Sequence, residues 1–172
     1  MSGVGPNLTY TPDFGYDGSD RFTFKANDGQ LDSAANGTVS ITVTTTLASW
    51  KLQHFTVPEQ GNPAASGDDA DPDGDGIVNL LEYAFHLDPK VPSGGNPATA
   101  SSDATYFSII YPRRIAATDL IYTVEKSLDA IVWSPAAPAN VILADDGVMQ
   151  TIKAQVPRMG ATTIFLRIRV TH

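Results

Sequence analysis

Apolar and polar positions alternate in short runs through the first and last thirds of the chain and change to a helical interval between them. Leu8–Thr11, Arg21–Ala26 and Thr38–Val43 mix β-branched and aromatic residues with polar ones, the pattern of a half-buried pleated strand. Asp17-Gly18 and Asn27-Asp28-Gly29 supply turns. In the last third, Tyr106–Tyr111, Leu120–Lys126, Val141–Ala144, Met149–Val156 and Thr163–Thr171 read the same way. Leu166, Ile168 and Val170 alternate there with Arg167 and Arg169, which predicts one buried and one wet face.

Between these regions Val78, Leu81, Ala84 and Phe85 recur every three to four residues, predicting a helix over 78–87 that ends before Pro89. A shorter helix is predicted over Trp50–Phe55 with Ser49 as its cap and with Trp50 and His54 on one face. Pro92–Ser102, rich in Ser, Gly and Pro, reads as a linker. The expected fold class is therefore mainly β, in three parts. Residues 1–46 form a partial β unit, 47–97 a small helical segment, and 98–172 a β-sandwich-like domain.

Composition narrows the function. Of 172 residues, 42% are hydrophobic, enough for a core, and the net charge of −8 argues against nucleic-acid binding. With no cysteine, disulfide and thiol chemistry are excluded. No apolar run is long enough for a membrane span, and Met1–Pro6 has neither the basic nor the apolar region of a signal peptide; an exported parent protein would imply that this chain is cut out of it. The acid is concentrated: eight carboxylates and no Lys or Arg lie between Glu59 and Asp88, so this stretch is either solvated or neutralised by a cation.

The spacing favours the cation. Asp71-Pro72-Asp73-Gly74-Asp75-Gly76-Ile77-Val78-Asn79-Leu80-Leu81-Glu82 fits the twelve-position EF-hand loop at each diagnostic place. Calcium takes six to eight oxygens from many directions, which one short loop supplies only by wrapping round the ion. Asp71, Asp73 and Asp75 offer carboxylates, Gly76 permits the turn, Ile77 offers its carbonyl, Asn79 acts directly or through water, and Glu82 can chelate. Val78, at the eighth position, is expected to point into the core. Asp68 and Asp69 read as merely solvated.

Two resemblances follow from these residues. Tyr10-Thr11-Pro12, Phe14 to Phe24, Asn27-Asp28-Gly29 and Val39–Val43 resemble the second half of a cadherin-like bacterial immunoglobulin-type repeat. Such a repeat is a sandwich of about 100 residues, so this resemblance implies a truncated domain lacking its first strands. Asp71–Gly76, Asn79–Ala84 and Leu87-Asp88-Pro89 are similar to calcium-binding segments near the C-termini of large secreted proteins of environmental bacteria, and to dockerin and thrombospondin type 3 loops. Dockerins normally pair two such loops, and this chain has one. The later residues Asp119–Ser127, Trp133 and Phe165–Val170 resemble the β-rich region that follows this segment in the bacterial group. The resemblance implies an accessory role and an extracellular or cell-surface location.

Other chemistry has little support. His54, His86 and His172 share no metal-ligand spacing on one helix, and Ser127 and Ser134 lack a nucleophile-elbow context. Glu59, Glu82 and Glu125 are the only glutamates from which a glycoside hydrolase could draw a pair. Trp50 and Trp133 are candidates for stacking on a sugar ring. The leading expectation is a non-catalytic, calcium-binding accessory or adhesive module, the alternative a carbohydrate-binding module that targets a parent enzyme to polysaccharide. The incomplete sheet of residues 8–46 is expected to be covered by the C-terminal β domain or to pair with a second copy.

Overall fold

In the computed structural model, which describes residues 2–4, 7–13, 16 and 18–172, the chain is mainly β, as the alternation predicts. Phe14, Gly15 and Asp17, parts of the expected turn and of the first resemblance, lie outside the described residues. Strands β1 (Ser2–Val4) and β2 (Asn7–Thr9) form a small antiparallel pair, and β3 (Gly18–Phe24) and β4 (Gly37–Val43) a second. Cross-strand register places Phe22 opposite Val39 and Asp20 opposite Ile41, so Phe22, Phe24, Val39, Ile41 and Val43 share one face. Phe24 covers Gly37, where an added Cβ would sit 2.5 Å from the ring.

This hairpin is not covered by the C-terminal domain. Its apolar face is only half-buried, none of its residues joins a core cluster, and it approaches the C-terminal strands where Gly18 lies beside Val148. The two C-terminal sheets instead bury their inner faces against each other.

The first helix starts earlier than predicted. Helix α1 (Leu47–His54) is capped by Thr46 rather than Ser49. The Thr46 hydroxyl accepts from Ser49 N, and Ser49 Oγ accepts from Thr46 N at 2.9 Å, a reciprocal box that ties down two orphan donors. Two single-turn helices follow that the apolar spacing does not show: α2 (Val57–Gln60), boxed by Thr56 and Glu59, and α3 (Pro63–Ser66), capped by Asn62. Helix α4 (Asn79–Phe85) starts after Val78 and ends at His86, whose left-handed φ of 60° stops it before Pro89 can.

Beyond α4, two antiparallel sheets share one core. The first has the order β5 (Thr99–Ser102), β6 (Tyr106–Arg114), β10 (Met149–Pro157), β9 (Ala139–Asp145); the second has the order β11 (Phe165–Thr171), β7 (Ile121–Ser127), β8 (Ser134–Pro135). Strand β5 lies within the predicted linker: its side chains are all exposed, so backbone pairing to β6 forms it and no apolar signal marks it. Ile109, Tyr111, Ile152, Ala154 and Val156 from the first sheet pack with Val124 from the second.

The helical segment and these sheets are not separate. Leu47, Trp50, Phe55 and Tyr83 pack with Ala117, and Ala84 and Phe85 pack with Val170. Polar contacts cross the same boundary. Leu47 N donates to Asp119 Oδ2 at 2.8 Å, the Tyr83 hydroxyl meets Asp119 Oδ1 at 2.8 Å and the Thr45 carbonyl, and the Tyr122 hydroxyl donates to Ala84 O at 2.8 Å. Trp50, 2% exposed, sits at the centre of this junction against Phe55 and Tyr83. Trp50→Ala is therefore expected to cost about 3–5 kcal/mol. Urea unfolding should show helical and sheet signals lost together in one transition; a variant that melts α1 alone and leaves the sheets at wild-type stability would contradict the shared core.

Candidate functional site

The acidic loop lies between α3 and α4 and is folded by its own side chains. Asp71 Oδ1 accepts from Gly74 N at 2.8 Å and its Oδ2 from Gly76 N at 2.9 Å, while Asp75 Oδ1 accepts from Ile77 N at 2.7 Å. Gly74 and Gly76 adopt φ of 77° and 90°, values that a side chain would oppose. The loop ends are closed by backbone bonds from Asn79 N to Ala70 O and from Leu80 N to Asp68 O. Ser93, in the segment after α4, donates through both its N–H and its hydroxyl to Asp75 Oδ2. One oxygen from each of Asp71, Asp73 and Asp75 lies within 4.8 Å of the others, a cluster that can hold a metal ion.

Asn79 and Glu82 stand at the start of α4 with no exposure at all. The Asn79 amide donates to Ala65 O at 2.9 Å and Gly67 O at 2.7 Å, fixing the end of α3 against the loop. Its Oδ1, both Glu82 carboxylate oxygens and Asp73 Oδ2 are buried acceptors without a protein partner. Among the described residues the only other such side-chain atom is Ser108 Oγ, so unmet acceptor capacity is concentrated at this loop. Every unmet atom here is an oxygen acceptor, and only added donors or positive charge can satisfy them.

The titration of these groups agrees. Burial, then the nearby Asp73, Asp75, Asp71 and Asp88 charges, push Glu82 up from 4.5 to about 7. Burial likewise raises Asp73, whereas the Ser93 hydrogen bonds hold Asp75 below its ordinary value. The side chain that enters the fold is that of Ile77 rather than Val78. The Ile77 side chain is buried in the fold, and Val78 is half-buried because it precedes the helix as its cap.

The remaining candidates disperse. Trp50 cannot stack on a sugar, because it is a core residue of the junction. Trp133 is half-buried with the Arg167 guanidinium 4.2 Å over its ring. Asp68 is not merely solvated: it pairs with Lys51 and with His172 at 2.6 Å, and these bonds outweigh its burial to hold it below its ordinary value. Glu59 belongs to the α2 cap and pairs with Lys90 at 2.7 Å; Glu125 pairs with Arg167 at 2.7 Å. His54 packs at a tilt against Trp50, on the shared face that the spacing predicts, and burial lowers its pKa. No helix among the described residues is long and apolar enough to cross a membrane.

Comparison with known proteins returned no matching family model, no matching curated protein and no matching solved structure.

Because Glu82 is held above its unfolded-state value, folding favours its protonated form. Without a cation, its contribution is fully present below about pH 4.5 and is lost as pH rises through about 7, a swing on the order of 3 kcal/mol. Asp73 acts in the same direction. Glu82→Gln, neutral at all pH, should flatten this part of the stability profile in chelator. Denaturant midpoints at pH 5 and pH 8 measure it, and an unchanged pH dependence in the variant would contradict the assignment.

Proposed function

We propose that the chain is a non-catalytic, calcium-binding accessory module of a secreted or cell-surface protein, in which the ion fixes the junction between the acidic loop and the C-terminal sheets. The observation that carries this reading is the buried Glu82 carboxylate with both oxygens unpartnered, beside three aspartates spaced as in an EF-hand loop. Asp71, Asp73, Asp75, the Ile77 carbonyl, Asn79 and Glu82 would hold the ion. An all-oxygen set suits calcium; zinc prefers nitrogen and sulfur, and magnesium a small, water-rich octahedron.

Calcium would supply the positive charge that the loop lacks. Glu82 precedes Tyr83, Ala84 and Phe85, which pack into the two junction clusters, so holding Glu82 holds α4 in register with the sheets. The chemistry is structural, and its setting favours compartments rich in calcium, outside the cell. The net charge of −8 weighs against a nucleic-acid partner. A polysaccharide partner loses one of its two candidate stacking residues with the burial of Trp50 and keeps the half-buried Trp133.

Calcium should stabilise the fold by about 2.7 kcal/mol at 100 times its dissociation constant. Thermal melts in calcium, in magnesium and in chelator test this. A large upward shift with calcium, a smaller one with magnesium, and loss of both in Asp71→Ala and Glu82→Gln are expected. A melting temperature indifferent to calcium and chelator would remove the proposal.

A further inference from the structure

The alternation along β7 that turns Tyr122 and Val124 into the core also turns Lys126 to that face. Its register partner on β11 is Leu166, itself packed against the core. Glu125, on the opposite face, is paired with Arg167 and Arg169. Among the described residues the Lys126 ammonium has neither an ion-pair nor a hydrogen-bond partner. A core-facing lysine without a counter-charge is costly unless it reaches water or an anion.

Lys126, partly buried, lines an open cavity. The cavity, about 410 Å³ and within the range of small-molecule sites, opens at this end of the core, floored by Ser127, Val156 and Ile164. One wall is the loop after β7. There the Asp129 carboxylate accepts from Ile131 N at 2.8 Å, Val132 N at 2.9 Å and the Ser127 hydroxyl at 2.8 Å. The other wall is the loop after β10, where Arg158 donates to Asp103 O at 2.7 Å and lies 4.3 Å over the Phe107 ring. Each wall carries a non-glycine residue in the left-handed region, Ala130 at φ 60° and Met159 at φ 45°.

The two walls present apolar side chains to solvent: Leu128 is 78% exposed, Val132 71% and Met159 92%. The polar groups at the rim are already engaged, Asp129 by backbone donors and Arg158 by carbonyls. The Asp129 carboxylate and the Arg158 guanidinium keep their opposite charges, which offset each other, so Lys126 leaves the lining with one net positive charge. One net positive charge matches a monoanion; the Arg158 guanidinium, turned to Asp103 O and Thr162 O and lying over Phe107, is not offered as a fork for phosphate.

We infer that this cavity binds an amphipathic carboxylate, with the carboxylate on Lys126 Nζ and an aliphatic or aryl body against Leu128, Val132 and Met159. None of its lining residues belongs to the acidic loop, so it stands independently of the calcium reading.

Octanoate is the probe, titrated into the full chain in the presence of calcium and followed by amide NMR and calorimetry, with octanol as its uncharged counterpart. Saturable shifts confined to the loops after β7 and β10 are expected. Octanol should bind about tenfold more weakly or worse, reflecting a lost charge-assisted contact. Lys126→Met should weaken octanoate by a similar factor while Lys126→Arg retains it. Absence of saturation, equal binding of octanol and octanoate, or undiminished octanoate binding in a folded Lys126→Met would overturn the inference. Should Lys126→Met fail to fold, the octanoate–octanol comparison in the wild-type chain decides the matter alone.

Discussion

A carboxylate sealed from water must be neutralised, and Glu82 imposes that constraint on the whole junction. It sits in the first turn of α4 with both oxygens buried and unpartnered, within reach of the charges of Asp73, Asp75 and Asp71. The next three residues along the helix, Tyr83, Ala84 and Phe85, are core residues. Moving Glu82 out to water would drag these aromatic and apolar groups with it. The fold therefore holds the anion in place, and its neutralisation becomes part of folding.

From this point the architecture reads outward in two directions. Toward the N-terminus, Asn79 ties the loop to α3, and Tyr83 reaches Thr45 at the start of the helical segment. Toward the C-terminus, Asp119, Tyr122 and Val170 receive α4. The β3–β4 hairpin takes no part in any of these clusters and keeps a half-exposed apolar face. Cooperative structure is thus concentrated after residue 45, whereas the N-terminal hairpin rests mainly on its own pairing.

Much of this was legible in the sequence because it is local. The strands with strong alternation, the apolar stripe of α4 and the spacing of the acidic loop all follow from near neighbours. Local signals also existed for α2 and α3, in Thr56 three residues before Glu59 and in Asn62 before Pro63, yet single turns leave no apolar periodicity to draw attention. Strand β5 was hidden because only backbone pairing forms it. Long-range facts were out of reach: Trp50 as a junction core residue, the twofold role of Asn79, and the Asp119 contacts all join residues far apart in the chain. The place of Lys126 on the core face was implicit in its β7 alternation with Tyr122 and Val124, and became meaningful only once the cavity was visible.

The proposed cation would complete the buried oxygens around Glu82. Crystals grown in calcium, measured for its anomalous scattering, test that claim most directly. The account predicts a single anomalous peak about 2.3–2.6 Å from oxygens of Asp71, Asp73, Asp75 and Glu82. A map with water alone at that position, and with the Glu82 carboxylate hydrogen-bonded to protein donors, would contradict it.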